Sequence, residues 1–485
     1  MKRMLLLTLI FLLSTCSVAA KTVTVEEGVY RLPVQLSGAH LELRDLQDTT
    51  LDFSGSTLLF QSREGVGIRF INCQNVTVKN VRLDYETPTN WQATVTAIDP
   101  EGFFLDFIIP SGYPDVGGGA DDNLLYFFDG ATGAYLQEGS FNSLTVSRLE
   151  RVGDRRYRLY SATAARIPTL KVGDILTWGN RLSAGNAIEL RDSSSCRLEN
   201  VQIYAGQVGI FCADGYGDHT FDNVQIRPGP RPLGATADRV MSTIADGMHL
   251  QRMEHGITLQ DSYVAACGDD GLNFYGGFSR VAKTGTPFTL VCTLSARPEA
   301  GDTLRFYTEE GVFAGWSTIK TIAPAEPDPT VDTDRFIAKK AYAVTLSAPL
   351  LLQKGMWVTN ADKNCSDFSV TNTTYQDLHG RGILVKGSNG RIANCTFSNV
   401  GIAGILMTPE FDILEADYVR DVTVENNTFI NCGLRGGAIV IDGGEGNHER
   451  ISILNNTFLQ SPVFDVSARC VTDLILQDGI KNKSE

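Results

Sequence analysis

Apolar and polar residues alternate in short runs along most of this chain, and the runs recur. The form apolar-x-Asn-x-x-apolar is repeated as VKNVRL, LENVQI, FDNVQI, VTNTTY, IANCTF, VENNTF and ILNNTF. Its asparagines are Asn80, Asn200, Asn223, Asn372, Asn394, Asn426 and Asn455, and LQDSYV puts Asp261 at the same place. The gap from Asn200 to Asn223 is 23 residues and from Asn372 to Asn394 it is 22, with longer gaps where loops intrude. Alternation of this kind predicts strands, and its return at a fixed length predicts a solenoid. Asparagines stacked at a tight turn can hydrogen-bond along the stack and tolerate left-handed backbone. The pattern predicts an all-β chain, a right-handed parallel β-helix, with Val, Ile, Leu and Phe filling the interior.

Two stretches lack the asparagine signal and alternate like antiparallel strands. The expected organisation is therefore N-terminal coils over 21–85, a β insertion over 86–180, central coils over 181–276, a second insertion over 277–358 and C-terminal coils over 359–478. Gly173-Asp174-Ile175-Leu176-Thr177-Trp178 rhymes with Gly301-Asp302-Thr303-Leu304-Arg305-Phe306. Both insertions are read as small antiparallel barrels or sandwiches. The acidic, proline-containing run 324–334 reads as a loop.

The stretch 244–276 carries the candidate chemistry. Asp246 is followed by Gly247, and Gly268 and Gly271 bracket Asp269 and Asp270. Asp246 and Asp269 are 23 residues apart, a plausible coil length, so one turn of the solenoid returns beside its start at about 4.8 Å. Adjacent strand residues face opposite ways, so the pair shares a site only if the backbone bends, for which Gly268 and Gly271 are suited. Three crowded carboxylates cannot all ionise freely, which raises at least one pKa. An acid beside a carboxylate is what glycoside hydrolysis requires. Taken alone, Asp-Asp-Gly is also an ordinary solvated turn.

The 485 residues carry a formal charge of −14 and no Lys/Arg cluster, which argues against nucleic acid as a partner. Residues 1–20 have a basic start, a short apolar core and Val18-Ala19-Ala20, the form of a secretory signal. That apolar run is too short to span a membrane, and nothing else could. Leu13-Ser14-Thr15-Cys16 offers a rival reading, a lipid anchor at Cys16. The signal looks bacterial, so a periplasmic, secreted or cell-surface location is expected. Cys73, Cys196, Cys395 and Cys432 read as small core residues, and no Cys-x-x-Cys pair marks a zinc or redox site.

Ala245-Asp246-Gly247-Met248-His249, Gly268-Asp269-Asp270-Gly271-Leu272-Asn273, His379-Gly380-Arg381-Gly382-Ile383-Leu384 and Gly404-Ile405-Leu406 with Glu410 and Glu415 together resemble glycoside hydrolase family 110, the bacterial exo-acting α-1,3-galactosidases. The resemblance spans most of the chain after the signal. It departs at Tyr275, where the family's Ala-Ile-Asn-Val-His filling ends in His. The three-Asp layout is also similar to the polygalacturonases of family 28, on the same fold. By that resemblance Asp269 is the general acid, Asp246 and Asp270 hold and deprotonate the water, and hydrolysis inverts. Inversion calls for carboxyls about 6.5–9.5 Å apart. No cofactor and no metal are needed. The Gly-His-Gly and Arg-x-Lys motifs of uronate-cleaving enzymes are missing, which favours a neutral sugar, a glycan ending in galactose.

Around the acids, His249 could bond a sugar hydroxyl, orient an acid or simply pack. Asn273 and Tyr275 are expected to line the same pocket, and aromatics stack on sugar faces. Arg381, and Glu410 and Glu415 in the loop Pro409 to Tyr418, are candidates for substrate binding. Trp91 and Trp316 are further options for such stacking, or else barrel core; Arg231 and Arg239 could reach the acids. Two rivals remain. A polysaccharide lyase would need Ca²⁺ or a basic residue clustered with the acids, and the sequence shows none there. A non-catalytic carbohydrate-binding β-helix would bind sugar without cleaving it.

Overall fold

The computed structural model describes residues 21–115, 125–136, 146–161, 170–178, 184–293, 297–326, 339–434 and 436–484. The signal segment with Cys16 and residues 327–334 of the acidic run lie outside them. The chain is a right-handed parallel β-helix. One inward column runs Leu51, Val78, Leu198, Phe221, Leu259, Val370, Ile392, Val424, Ile453, each directly above the last. On the second sheet Leu41, Ile68, Ile188, Ile210, Met248, Leu272, Ile383, Ile405, Ile439 and Val466 do the same. Both columns are buried and form one continuous core. Within it Tyr375, Phe397, Phe429 and Phe458 stack with centroids 5.1, 4.7 and 5.2 Å apart. Cys73, Cys196, Cys395 and Cys432 lie in this core.

The repeat asparagines stand at one corner, all left-handed, with φ from 49° to 56°. Asn80, Asn200, Asn223 and Asn372 each bond the side chain on the preceding coil. Asn223 Nδ2 donates to Asn200 Oδ1 at 2.7 Å, Asn200 Nδ2 to Asn80 Oδ1 at 3.1 Å, and Asn372 Nδ2 to Asp261 Oδ1 at 3.1 Å. The corner therefore selects a residue that tolerates positive φ and carries both donor and acceptor.

The first insertion is a six-stranded antiparallel sheet of Trp91–Asp99, Phe104–Ile108, Leu125–Phe128, Val146–Gly153, Arg156–Ser161 and Ile175–Trp178 with its own core. Among the described residues this sheet is open, not closed into a barrel. The second insertion is closed. Strand Leu272–Lys283 pairs with Phe288–Thr293 and Trp357–Asn360, and Thr303–Tyr307, Phe313–Ala325 and Lys339–Leu346 complete the ring. The first residues of Leu272–Lys283 belong to the solenoid and its last to the barrel. The rhyme between insertions is one turn used twice. Gly173 and Gly301 both have φ 101°, and Asp174 and Asp302 each accept the N–H three residues earlier at 2.8 Å. Trp91 packs on Phe107 inside the first insertion, but Trp316 is 60% exposed and is not barrel core.

The ladder and the core should fail differently. Asn200→Ala should cost about 1–3 kcal/mol, because it loses two ladder bonds and forces Ala into left-handed backbone. Asn200→Gly should recover part of that, and Phe397→Ala should cost about 3–5 kcal/mol. Denaturant midpoints at constant slope are the check; equal costs for the two Asn200 variants would refute the backbone account.

Candidate active site

The three acids sit where the chain turns into the second sheet. Met248 pairs with Leu272 and Leu272 with Ile383, so the coil return is 24 residues. Asp246 therefore stacks on Asp270, not on Asp269 as a 23-residue return implied, and Arg381 continues the column. Backbone amides stitch it together. Asp270 N–H donates to Asp246 Oδ1 at 3.3 Å and Arg381 N–H to Asp270 Oδ1 at 2.7 Å. Asp269 is brought in from the neighbouring position, and one oxygen from each acid lies within 4.8 Å of the others. The bend is not made by left-handed glycine. Ala266 carries the positive φ of 54°. Gly268 and Gly271 are needed for space: a Cβ would meet Ile244 O at 2.1 Å and the Tyr375 ring at 2.5 Å.

Burial separates the acids. Asp246 and Asp270 are buried, whereas Asp269 is half-buried and is the most accessible of the three. Each buried acid faces a basic side chain. His249 Nδ1 is 2.5 Å from Asp246 Oδ2. Arg381 Nε lies 3.1 Å from Asp270 Oδ1, close enough for an ion pair but off-line for a hydrogen bond. Burial pushes the Asp270 carboxyl well up, Asp269 and Asp246 push the same way, and the Arg381 guanidinium opposes them. Burial works against a charged His249, yet its bond to Asp246 and the charge of Glu415 raise its pKa above the ordinary value.

The remaining candidates are brought together, but as a supporting shell. His249 Nε2 is 2.8 Å from the Tyr275 hydroxyl, which donates to Gln251 Oε1 at 3.0 Å. Tyr275 is 8% exposed, so it orients His249 and offers no open ring face. Glu410 touches Arg381 at 3.4 Å and Lys386 Nζ at 2.7 Å. Glu415 is buried, bonded by Lys386 Nζ at 2.5 Å and by Asn273 Nδ2 at 3.2 Å. Asn273 Oδ1 is buried with no hydrogen-bond partner among the described residues. Arg381 thus sets a basic residue beside the acids, with Lys386 behind it across Glu410, which the sequence reading did not expect. Arg231 and Arg239 do not reach the site; they pair with Asp238 and Asp84. Lys386 and Gln251 were missed. The signal for Lys386 was available: a lone Lys ends the apolar strand Arg381–Val385, on the rung next to Tyr275. The three carboxylate oxygens are also a hard-cation ligand set by chemistry, with two positive side chains already at hand.

The right handed beta helix region family profile matches residues 352–473. The chain is 22% identical over 451 residues to alpha-1,3-galactosidase A of Bacteroides fragilis, covering 88% of this chain and 72% of that protein. It is 24% identical over 409 residues to alpha-1,3-galactosidase B of Bacteroides thetaiotaomicron, covering 80% of this chain and 64% of that protein. Among solved structures, the polygalacturonase of Erwinia carotovora superposes with a TM-score of 0.33 at 12% identity, over 97% of this chain and 99% of that one.

His249 gives the site a pH signature. Its proton is bound more tightly in the folded state, so its contribution to stability is complete below about pH 6.5 and is lost as pH rises through the raised value. The stability advantage of the native chain over His249→Gln should be larger at about pH 6 than at about pH 9. Unfolding free energies at both pH values test this; an unchanged difference would remove the His249–Asp246 ion pair from the account.

Proposed function

We propose that the chain is an exported, inverting glycoside hydrolase of the family 110 type that removes terminal α-linked galactose from glycans. The observation that carries the hydrolase reading is the compact acid trio, in which two members are buried against the basic side chains of His249 and Arg381 and one is accessible. The relatives named alpha-1,3-galactosidase supply the sugar. The Tyr275 departure alters the support of His249 and leaves the three acids in place.

Asp269 is the acid that reaches a bound glycosidic oxygen. Asp246 and Asp270 are fixed by His249 and Arg381. Oxygens within 4.8 Å of each other can share one water at ordinary hydrogen-bond length. Buried as they are, these two admit a water more readily than an anomeric carbon; Asp270, whose carboxyl is pushed well up, holds that water, and Asp246 takes its proton. Their spacing also favours a rival on one point: it is nearer the about 5–5.5 Å of a retaining pair than the about 6.5–9.5 Å of a direct inverting pair. Uronate chemistry, by a lyase or a polygalacturonase-like hydrolase, would draw on Arg381 and Lys386. Both are already matched to carboxylates, and that matching supports a neutral sugar.

Proton NMR of an α-1,3-linked galactose disaccharide during cleavage should show β-galactose first. Asp269→Asn should lower kcat by about 10²–10⁴-fold with the fold intact. α-Galactose as first product would overturn the water-activating roles, and unaltered sugar binding without any turnover in the native protein would make it a binding module.

A further inference from the structure

A cleft of about 180 Å³, open to solvent on one side, lies where the solenoid meets the barrel, away from the acid trio. Its floor is one column of turn residues, Asp192, Asp214 and Arg252, at equivalent places on successive coils. Their φ angles are 50°, 62° and 53°. Earlier in the same column Asn72 donates to Asp45 at 2.7 Å, the ladder bond seen at the other corner. From Asp192 onward that ladder gives way to ion pairs. Arg252 Nε donates to Asp214 Oδ1 at 3.0 Å, and Arg297, reaching down from the barrel, donates to Asp192 Oδ1 at 2.6 Å. Lys363 on the opposite wall is 3.4 Å from Asp302. Phe278, Leu290, Leu304 and Val358 supply apolar surface. The cations that line the cleft are matched by carboxylates. The cleft offers many donors and acceptors with little net charge, which suits hydroxyls better than phosphate or carboxylate.

The cleft is aligned with the acids. Asp246 and Arg252 flank the short strand Met248–Gln251 at its two ends, six residues and at most about 20 Å apart. Between them the outward positions carry half-buried Phe211, stacked on His249 at 5.6 Å and 8°, and Gln251. Arg252 Nη1 donates to Gln251 Oε1 at 2.6 Å, so a polar line runs from Asp246 through His249, Tyr275 and Gln251 to Arg252. We infer that the cleft binds the leaving-group side of the substrate, a neutral oligosaccharide that runs from the acid trio across Phe211 to the turn column under the barrel. The inference rests on the galactosidase reading and adds to it a substrate class: extended glycans, in preference to small galactosides.

The test compares a nitrophenyl α-galactoside with a neutral pentasaccharide ending in α-linked galactose, on the native chain, Arg297→Ala and Asp192→Asn. Both positions are exposed, with side chains 58% and 38% accessible, so both variants should fold. The pentasaccharide should show a KM about ten-fold lower than the small galactoside, and each variant should lose that advantage with kcat and the small-galactoside rate unchanged. Equal KM for both substrates, or variants that leave the pentasaccharide KM unmoved, would overturn the cleft assignment while the galactosidase reading stood. If the native chain hydrolyses neither, that reading fails instead. Calorimetry of the pentasaccharide on native chain and Arg297→Ala then decides the cleft, tighter binding by the native chain supporting it and equal or absent binding ending it.

Discussion

Everything at the acid trio depends on the register between neighbouring coils of the second sheet. Parallel pairing fixes which residue of one coil lies over which residue of the next, and the apolar column from Leu41 to Val466 locks that choice. A slip of one residue would turn the column outward. Given the register, three turn positions stack as Asp246, Asp270 and Arg381, and each backbone amide donates to the carboxylate before it. The site is thus held by the same pairing that makes the fold. No flexible loop has to close to assemble the three acids, although the Glu410–Glu415 hairpin adds the outer wall.

The charges around the trio are balanced in layers. Asp270 faces Arg381, Arg381 faces Glu410, Glu410 faces Lys386, and Lys386 faces Glu415. Buried charges without partners are costly, and here each is compensated by the next. The loop that carries Glu410 and Glu415 is anchored in turn by Asp417, which is fully buried and accepts from Arg305, Tyr307 and Thr359 of the barrel. Burial opposes ionisation of Asp417, but Arg305 and Arg420 hold its carboxyl below the usual range.

Much of the fold was legible in the sequence because a solenoid writes its period directly: an asparagine recurs at one corner, left-handed at every occurrence. The identity of the acids was legible for the same reason. Their exact partner was not. A 23-residue spacing between Asp246 and Asp269 looked like the coil return, but the register is set by the apolar strand residues, which return after 24. The glycines were misread because spacing cannot distinguish a bend from a tight contact with the coil above. Lys386 was overlooked because a charged residue closing an apolar strand looks like a boundary, and only the stacked rungs reveal Glu410 and Glu415 beside it. Arg231 and Arg239 precede Asp246 closely in the chain, yet their partners Asp238 and Asp84 decide where they point. Closure of the second insertion, and openness of the first, depend on long-range pairings that alternation alone does not encode.

Strand Leu272–Lys283 serves two architectures without a break, parallel in the solenoid and antiparallel in the barrel. At the junction Gly276 and Gly277 pair with Ala416 and Glu415, which holds the strand there. The barrel is therefore a fixed fin, and its loops can lengthen, shorten or change composition while the acids a few residues upstream keep their places. Diversification of what is grasped is mechanically insulated from the bond-breaking machinery, even though both are threaded on one ribbon.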